Sequence, residues 1–200
     1  LSSSELHGRN FDQETSRSAV GQPIGSFFVY EADGLFQSDA EIQNYKNDRG
    51  ELLQPNAKPG DIRFKDLNGD GVINSDDRDF KGNPLPDCSM GLTLGFNYKN
   101  FDVSAFFQGV FGNEVYNLTN YLGEFYNQAQ YNKNSTILDA WRPDNTDTDI
   151  PRVTLDDPNN NIRPSTYYIH NASFVRLKNL KVGYTLPDKV CLLYTSPSPR

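Results

Sequence analysis

Four segments of the chain alternate apolar and polar residues, which is the pattern of β-strands with one apolar face. The clearest alternation lies in 88–98, and the segment 101–111 repeats it. The two residues between them, Lys99 and Asn100, predict a tight hairpin. The four predicted strands cover about 26–36, 88–98, 101–111 and 172–186.

The alternation changes phase inside the last predicted strand. Val175 and Leu177 share one phase, whereas Leu180 and the apolar residues after it lie in the other. A strand cannot change face without an extra residue, so we predict a β-bulge near Lys178-Asn179. If the strand belongs to a barrel, the alternative is that it crosses there from contact with the barrel lumen to the barrel rim. Pro187 is expected to end the strand.

The connections between the predicted strands differ greatly in length. One turn has two residues, while the segments 37–87 and 112–171 are long. Short turns on one side and long loops on the other are typical of outer-membrane barrels, whose strands need about 9–11 residues to cross the membrane. We therefore predict an all-β fold: part of an antiparallel transmembrane β-barrel of outer-membrane type, over 26–190, with long extracellular loops. A soluble antiparallel sandwich explains the same alternation and stays open as an alternative.

Short helices are expected inside the long loops. Ser38 and Glu41 fit a capping box, which predicts a helix that continues to about Tyr45. The segment 117–130 is expected to be helical in part. Residues 1–25 are interpreted as a preceding turn and strand connection.

Composition excludes some classes of protein. No apolar run approaches the roughly 18 residues of a membrane helix, which excludes a helical membrane protein but leaves a barrel open. The net charge of -7 and the pI of about 4.8 argue against a nucleic-acid partner. Cys88 and Cys191 lie far apart without metal-type spacing, so we expect two unpaired thiols.

The two ends of the chain suggest an excerpt. The chain begins with Leu1 and shows no signal peptide. The alternating pattern stops at Val190, and the segment 191–200, CLLYTSPSPR, is interpreted as a non-native tail.

The segment 66–77 carries the sharpest chemical motif. It matches the calcium-loop pattern D-x-[DN]-x-[DN]-G with an acidic residue at the twelfth position. Oxygen ligands at alternate positions can converge on a hard cation, and Gly71 permits the sharp turn. The predicted ligands are Asp66, Asn68, Asp70, the Val72 carbonyl, Asn74 and Asp77. A metal-free loop of Asx turns is the alternative, since Asn, Asp and Gly favour such turns.

Candidates for other chemistry are weaker. His7 and His170 are isolated from any nucleophile, so we expect no enzyme. A group of aromatic residues in the second long loop could stack on a substrate's sugar rings, or could pack the loop against itself. These residues are Tyr116, Tyr121, Phe125, Tyr126 and Trp141.

Several blocks of residues occur in an order that resembles a known family. They are 21–28 (GQPIGSFF), 33–37 (DGLFQ), 59–66 (PGDIRFKD), 82–84 (GNP), 101–104 (FDVS), 108–109 (QG), 141–145 (WRPDN), 150–152 (IPR), 173–180 (SFVRLKNL) and 183–187 (GYTLP). Over Val20 to about Val190 the chain resembles the SusC/RagA family of TonB-linked outer-membrane proteins, as a C-terminal barrel fragment.

The resemblance implies a protein of the cell outer membrane with a barrel of about 22 strands and an N-terminal plug. It implies import of glycan oligosaccharides or peptides, driven by the TonB complex through the N-terminal part. It also implies a SusD-like lipoprotein as an extracellular lid and membrane lipid around the barrel. No organic cofactor is expected, and calcium is the one candidate ion.

Two other classes remain open at this point. One is a soluble extracellular calcium- or carbohydrate-binding β-module with a dockerin-like loop. A dockerin carries two such loops, each followed by a helix, whereas Pro84 and Pro86 follow the single loop here. The other is a glycoside hydrolase fragment, which would need a pair of carboxylates facing one cleft.

Overall fold

The computed structural model describes residues 6–10, 13–124 and 132–187. The chain divides into two compact units. One, the loop unit, comprises Leu1–Leu85 and Glu114–Asn171; the other, the strand unit, comprises Pro86–Asn113 and Ala172–Arg200. None of the helices in the described part of the chain is long and apolar enough to cross a membrane.

The structure contains eleven strands and two α-helices over these residues. In chain order they are β1 (Leu6–Asn10), β2 (Gln13–Ser18), β3 (Ser26–Tyr30), β4 (Ala32–Leu35), α1 (Asp39–Asn44), β5 (Ile62–Phe64), β6 (Arg78–Phe80), β7 (Cys88–Tyr98), β8 (Phe101–Phe111), β9 (Glu114–Tyr116), α2 (Leu118–Gly123), β10 (Ile169–Asn171) and β11 (Phe174–Tyr184). Three short 3-10 helices lie at Ser75–Asp77, Ser135–Asp139 and Thr166–Tyr168.

The strand unit is an antiparallel sheet in the order β11-β8-β7. The bounds of β7 and β8 are those that the alternation predicts, and Lys99, with a φ of 54°, turns the chain between them. In β11, Leu177 pairs with Phe107 and Asn179 pairs with Phe106, so Lys178 is the extra residue of a bulge. The predicted bulge is confirmed.

The bulge brings the two apolar phases of β11 onto one face of the sheet. Before it, Leu177 lies beside Phe107; after it, Leu180 lies beside Ala105, two positions away on β8 and therefore on the same face. If Lys178 were paired in the ladder instead of bulged, the second half of the strand would direct its apolar side chains to the opposite face.

Inserting one alanine after Leu180 is expected to prevent correct folding of the strand unit, because it would move Val182 and Tyr184 to the polar face and Lys181 to the apolar face. Deleting Lys178 removes the bulge but leaves Leu177, Asn179 and Leu180 in regular alternation, so this deletion serves as the matched control. The amount of folded intact protein recovered from cells compares the two variants. Equal recovery of both would show that folding does not depend on which face the side chains of β11 occupy.

The loop unit contains three small sheets around an aromatic core. Their strand orders are β1-β2-β3-β6, β4-β5 and β10-β9. The buried core residues are Ile62, Phe64, Tyr121, Ile162 and Tyr168. Residues from both long connections thus share one core, so these connections fold together.

The single strand predicted over 26–36 is wrong. The structure has two strands, β3 and β4, that belong to different sheets and are separated at Glu31. The Glu31 carboxylate pairs with Lys65 and Lys81, which neither the alternation nor any local signal indicates. The hairpin of β1 and β2 lies within the segment interpreted as a connection.

Both helix predictions agree with the structure where it describes them. The Ser38 hydroxyl accepts a hydrogen bond from the Glu41 N–H at 3.3 Å, and the Glu41 carboxylate accepts one from the Gln37 N–H at 2.9 Å. These bonds satisfy donors at the start of α1. The second helix, α2, ends at Gly123, and residues 125–130 of the predicted helical segment lie outside the described residues.

Candidate functional site

One face of the strand unit is apolar and exposed. Leu92 and Leu94 are 55% and 53% exposed, and no second layer of described residues covers them. Their neighbours on this face are also exposed: Met90, Phe96, Tyr98, Val175, Leu177, Leu180, Val182 and Tyr184. A continuous apolar surface of this kind requires an apolar environment, and a membrane's hydrocarbon supplies one.

The opposite face of the same sheet is polar. Cross-strand pairing places its residues in five rows, of which the first is largely apolar: Ser89, Val110 and Phe174; Gly91, Gln108 and Arg176; Thr93, Phe106 and Asn179; Gly95, Ser104 and Lys181; Asn97, Asp102 and Gly183. A strand that is apolar on one side and polar on the other suits a wall between lipid and a water-filled lumen. The polar face is therefore the candidate site, as the surface that would face the lumen.

Within the loop unit, a buried polar cluster joins the two long connections. Asp61 is fully buried, and its carboxylate pairs with the Arg152 guanidinium at 2.6 Å and accepts a hydrogen bond from the Asn161 amide at 2.9 Å. Asn159 donates to the Ile62 carbonyl and to the Asn161 side-chain oxygen. We call Asp61, Arg152, Asn159 and Asn161 the clasp.

Sequence reasoning did not identify the clasp. Asp61 and Arg152 each stand in one of the blocks that carry the family resemblance, 59–66 and 150–152. Their pairing could not be read from spacing, because the clasp residues come from segments roughly a hundred positions apart, as the hydrogen bond from Asn161 to Asp61 shows. The presence of Asp61 and Arg152 in these two blocks was the sequence signal that could have marked them as functional or structural residues.

The structure brings three of the predicted calcium ligands together. The side-chain amides of Asn68 and Asn74 donate to one oxygen of Asp70, at 3.0 and 3.2 Å. The Val72 N–H donates to the other oxygen. These hydrogen bonds, Val72's first, lower the pKa of the Asp70 carboxyl and keep it ionised.

The other two predicted carboxylates bond to the loop backbone. Asp66 accepts from the N–H groups of Gly69 and Gly71. Asp77 is fully buried and accepts from the N–H groups of Leu67 and Asn74. Gly71 has a φ of +89°, as the predicted sharp turn requires.

The loop therefore has the oxygen-rich donor set that calcium prefers. Its carboxylates, however, already accept hydrogen bonds from backbone N–H groups of the same loop. No group of three or more His, Cys, Asp or Glu side chains converges as a metal site among the described residues. The calcium site stays a prediction, with Asp66, Asn68, Asp70, Val72, Asn74 and Asp77 as the residues that would hold the ion.

Removing calcium with a chelator is expected to accelerate proteolysis of the 66–77 loop in the intact protein. An ion present at about a hundred times its dissociation constant would stabilise the loaded loop by about 2.7 kcal/mol. Asp70→Asn should make cleavage independent of the chelator, whereas Asp79→Asn, just outside the loop, should not. Cleavage at the same rate with and without chelator would contradict the site.

The aromatic residues predicted to contact substrate lie largely in the interior of the loop unit. Tyr121 and Trp141 are 6% and 8% exposed. The Trp141 indole N–H donates to the Gln37 side-chain oxygen at 2.9 Å. Tyr116 is partly buried, and burial raises the pKa of its hydroxyl.

The rings of Tyr121 and Trp141 are thus buried inside the loop unit. This agrees with the alternative prediction, that these aromatic residues pack the loop against itself instead of stacking on sugar rings. Phe125 and Tyr126 lie outside the described residues. Substrate contact by Tyr116, Tyr121, Tyr126 and Trp141 remains a prediction.

Comparisons with known proteins agree with this architecture. No family model matches the chain. It is 37% identical to TonB-dependent receptor P3 of Formosa agariphila, over 90% of this chain and 17% of that protein. It is 30% identical to TonB-dependent receptor SusC of Bacteroides thetaiotaomicron, over 84% of this chain and 14% of that protein.

Solved structures give the same result. The fold is similar to a structure of the RagAB peptide importer in the closed-closed state, with a TM-score of 0.64, 24% identity, and coverage of 95% of this chain and 19% of that one. A second structure, of the RagAB peptide transporter, has a TM-score of 0.60 and 28% identity over 93% of this chain and 19% of that one.

The two-faced antiparallel sheet and these likenesses define a segment of an outer-membrane β-barrel receptor. The chain belongs to the TonB-dependent receptors of SusC/RagA type, which are proteins of the outer membrane. It spans less than a fifth of the length of the relatives and structures that it matches.

Proposed function

We propose that this chain forms part of a transporter that imports glycan oligosaccharides across the outer membrane. A SusD-like surface lipoprotein would assist it, and the TonB complex would drive it. The observation that supports this most is the strand unit, which presents an apolar face for lipid and a polar face for a wet lumen. The function is binding and passage of a nutrient, without covalent chemistry.

The relatives favour import and leave two kinds of cargo to compare. SusC is a TonB-dependent receptor, and the RagAB structures are named for peptide import. Phe106, exposed on the polar face beside amide and hydroxyl side chains, supports a glycan, because an aromatic ring can stack on a sugar while its neighbours bond to hydroxyl groups. Peptides are the alternative cargo.

Uptake by the intact transporter would test this proposal. A strain that lacks the gene should lose growth on one class of oligosaccharide and keep growth on peptides and monosaccharides. Restoring the gene should restore that growth, and purifying the tagged transporter should recover a surface lipoprotein. Loss of growth on peptides alone would support the alternative cargo, and unchanged growth on every nutrient would contradict import.

A further inference from the structure

The 66–77 loop contains two pairs of neighbouring residues that can react with each other. Glycine has no side chain, so its backbone nitrogen can reach the side-chain carbonyl carbon of a preceding Asn or Asp with little hindrance. The sequence has one Asn-Gly pair and two Asp-Gly pairs, and these are Asn68-Gly69, Asp33-Gly34 and Asp70-Gly71. The loop therefore has one pair of each kind within four consecutive residues.

The reaction at such a pair closes a succinimide ring. The Gly69 nitrogen would lose its proton and bond to Cγ of Asn68, while the C–N bond of the side-chain amide breaks and ammonia leaves. The Gly71 nitrogen would attack the protonated carboxyl group of Asp70 in the same way, and water would leave. Addition of water then opens either ring and produces aspartate or isoaspartate. Isoaspartate lengthens the backbone by one carbon, which would disrupt the turn.

The turn requires both glycines. Gly69 and Gly71 have φ angles of +74° and +89°, which other residues rarely adopt. A Cβ atom at Gly71 would also lie 2.5 Å from the side-chain nitrogen of Asn47. Bulkier residues that would slow the ring closure are therefore strained at these positions, and the loop needs another means of limiting the reaction.

One carboxylate binds both of the attacking nitrogens. Asp66 Oδ1 accepts a hydrogen bond from the Gly69 N–H at 2.7 Å, and Asp66 Oδ2 accepts one from the Gly71 N–H at 2.8 Å. Each nitrogen must release this proton before a ring can close. A hydrogen bond to a charged acceptor stabilises the protonated nitrogen, so it opposes the first step of the reaction.

The side chain of Asn68 is fixed as well. Its oxygen accepts a hydrogen bond from the Asp70 N–H at 2.8 Å, and its amide nitrogen donates to the Asp70 carboxylate at 3.0 Å. Rotation of this side chain toward the Gly69 nitrogen would break both bonds. All of these contacts join residues within 66–71, so they do not depend on any surface outside the loop.

We infer that Asp66 protects the loop from succinimide formation at Asn68-Gly69 and Asp70-Gly71, because its two carboxylate oxygens bind both attacking nitrogens. The two pairs are thus modification sites that react when this carboxylate is removed. The role requires no bound ion, and it does not depend on the cargo of the transporter.

Mass spectrometry of peptides from the intact transporter would test the inference after incubation at slightly alkaline pH. A chelator is present throughout, so that the rates reflect the hydrogen bonds and not a bound ion. Asp66→Ala should raise the rates of deamidation at Asn68 and of isoaspartate formation at Asp70 at least about tenfold, as expected for loss of a hydrogen bond to a charged acceptor. Asp66→Asn keeps one acceptor oxygen and should leave one of the two pairs unprotected.

Asn47→Ala is the matched control. It removes the side chain that packs against Gly71 but leaves both hydrogen bonds to Asp66 in place, so both rates should stay unchanged. Asp33-Gly34, on β4 of the same unit, is the internal reference. Its rate should be the same in Asp66→Ala and in the natural protein, whereas unfolding of the loop unit would raise it.

Three results would overturn the inference. One is that the natural protein and Asp66→Ala react at equal rates at both loop pairs. Another is that Asn47→Ala accelerates the reactions as much as Asp66→Ala does. The third is a rise at Asp33-Gly34 as large as the rise at the loop pairs, since this would assign the effect to unfolding.

Discussion

Replacing Asp61 with alanine is expected to destabilise the loop unit by about 3–5 kcal/mol. The carboxylate is fully buried, and its loss would leave the Arg152 guanidinium and the Asn161 amide without their shared partner. A buried charge that loses its partner costs far more than an exposed one. Hydrogen exchange of the loop unit within the intact transporter would measure the change, as faster exchange of peptides around 59–66 and 150–163.

A matched control lies in the same unit. Asp33 pairs with Arg63 at 3.0 Å, but about half of the Asp33 side chain is exposed. Asp33→Ala should therefore change stability by about 1 kcal/mol or less. If both variants exchanged at the same rate, the clasp would not hold the two long connections together.

Replacing Leu94 with arginine is expected to prevent stable insertion, whereas the same change at the next residue, Gly95, is expected to be tolerated. Leu94 lies on the apolar face near the middle of β7, where a lipid-facing arginine costs about 2–4 kcal/mol. Gly95 lies on the polar face with open space above it. Unfolding of the transporter in liposomes by urea would measure both variants.

This pair tests the orientation of the wall, since the two positions are neighbours on one strand and lie on opposite faces. A larger loss for Gly95→Arg than for Leu94→Arg would contradict the assignment of the apolar face to lipid. A similar loss for both would indicate that strand geometry, and not lipid contact, governs the effect.

Much of the strand unit follows from local pattern. The bounds of β7 and β8, their tight turn, the bulge at Lys178 and the cap of α1 all agree with the sequence-based predictions. Each depends on residues within a few positions of one another, because side-chain alternation and helix capping are properties of neighbouring backbone. The family blocks then indicated the class of protein that contains these elements.

The candidate site was accessible to sequence reasoning only in part. Alternation separates the polar face from the apolar face, but the rows depend on the register between strands. Placing Phe106 between Arg176 and Lys181 needs the pairing of β8 with β11, which are joined by a connection of about sixty residues. The motif at 66–77 was visible in the sequence, but the use of Asp77 as a buried partner of the backbone was not.

The sequence alone therefore established the strands that alternate, the face that each presents and the turns that join neighbours, since these depend on short-range geometry. Tertiary structure decided the break at Glu31, the burial of Tyr121 and Trp141, and the clasp around Asp61. Each of these depends on which distant segment supplies a partner or a covering surface. That choice is made by packing and by the pairing of buried polar groups, which operate between residues far apart in the chain.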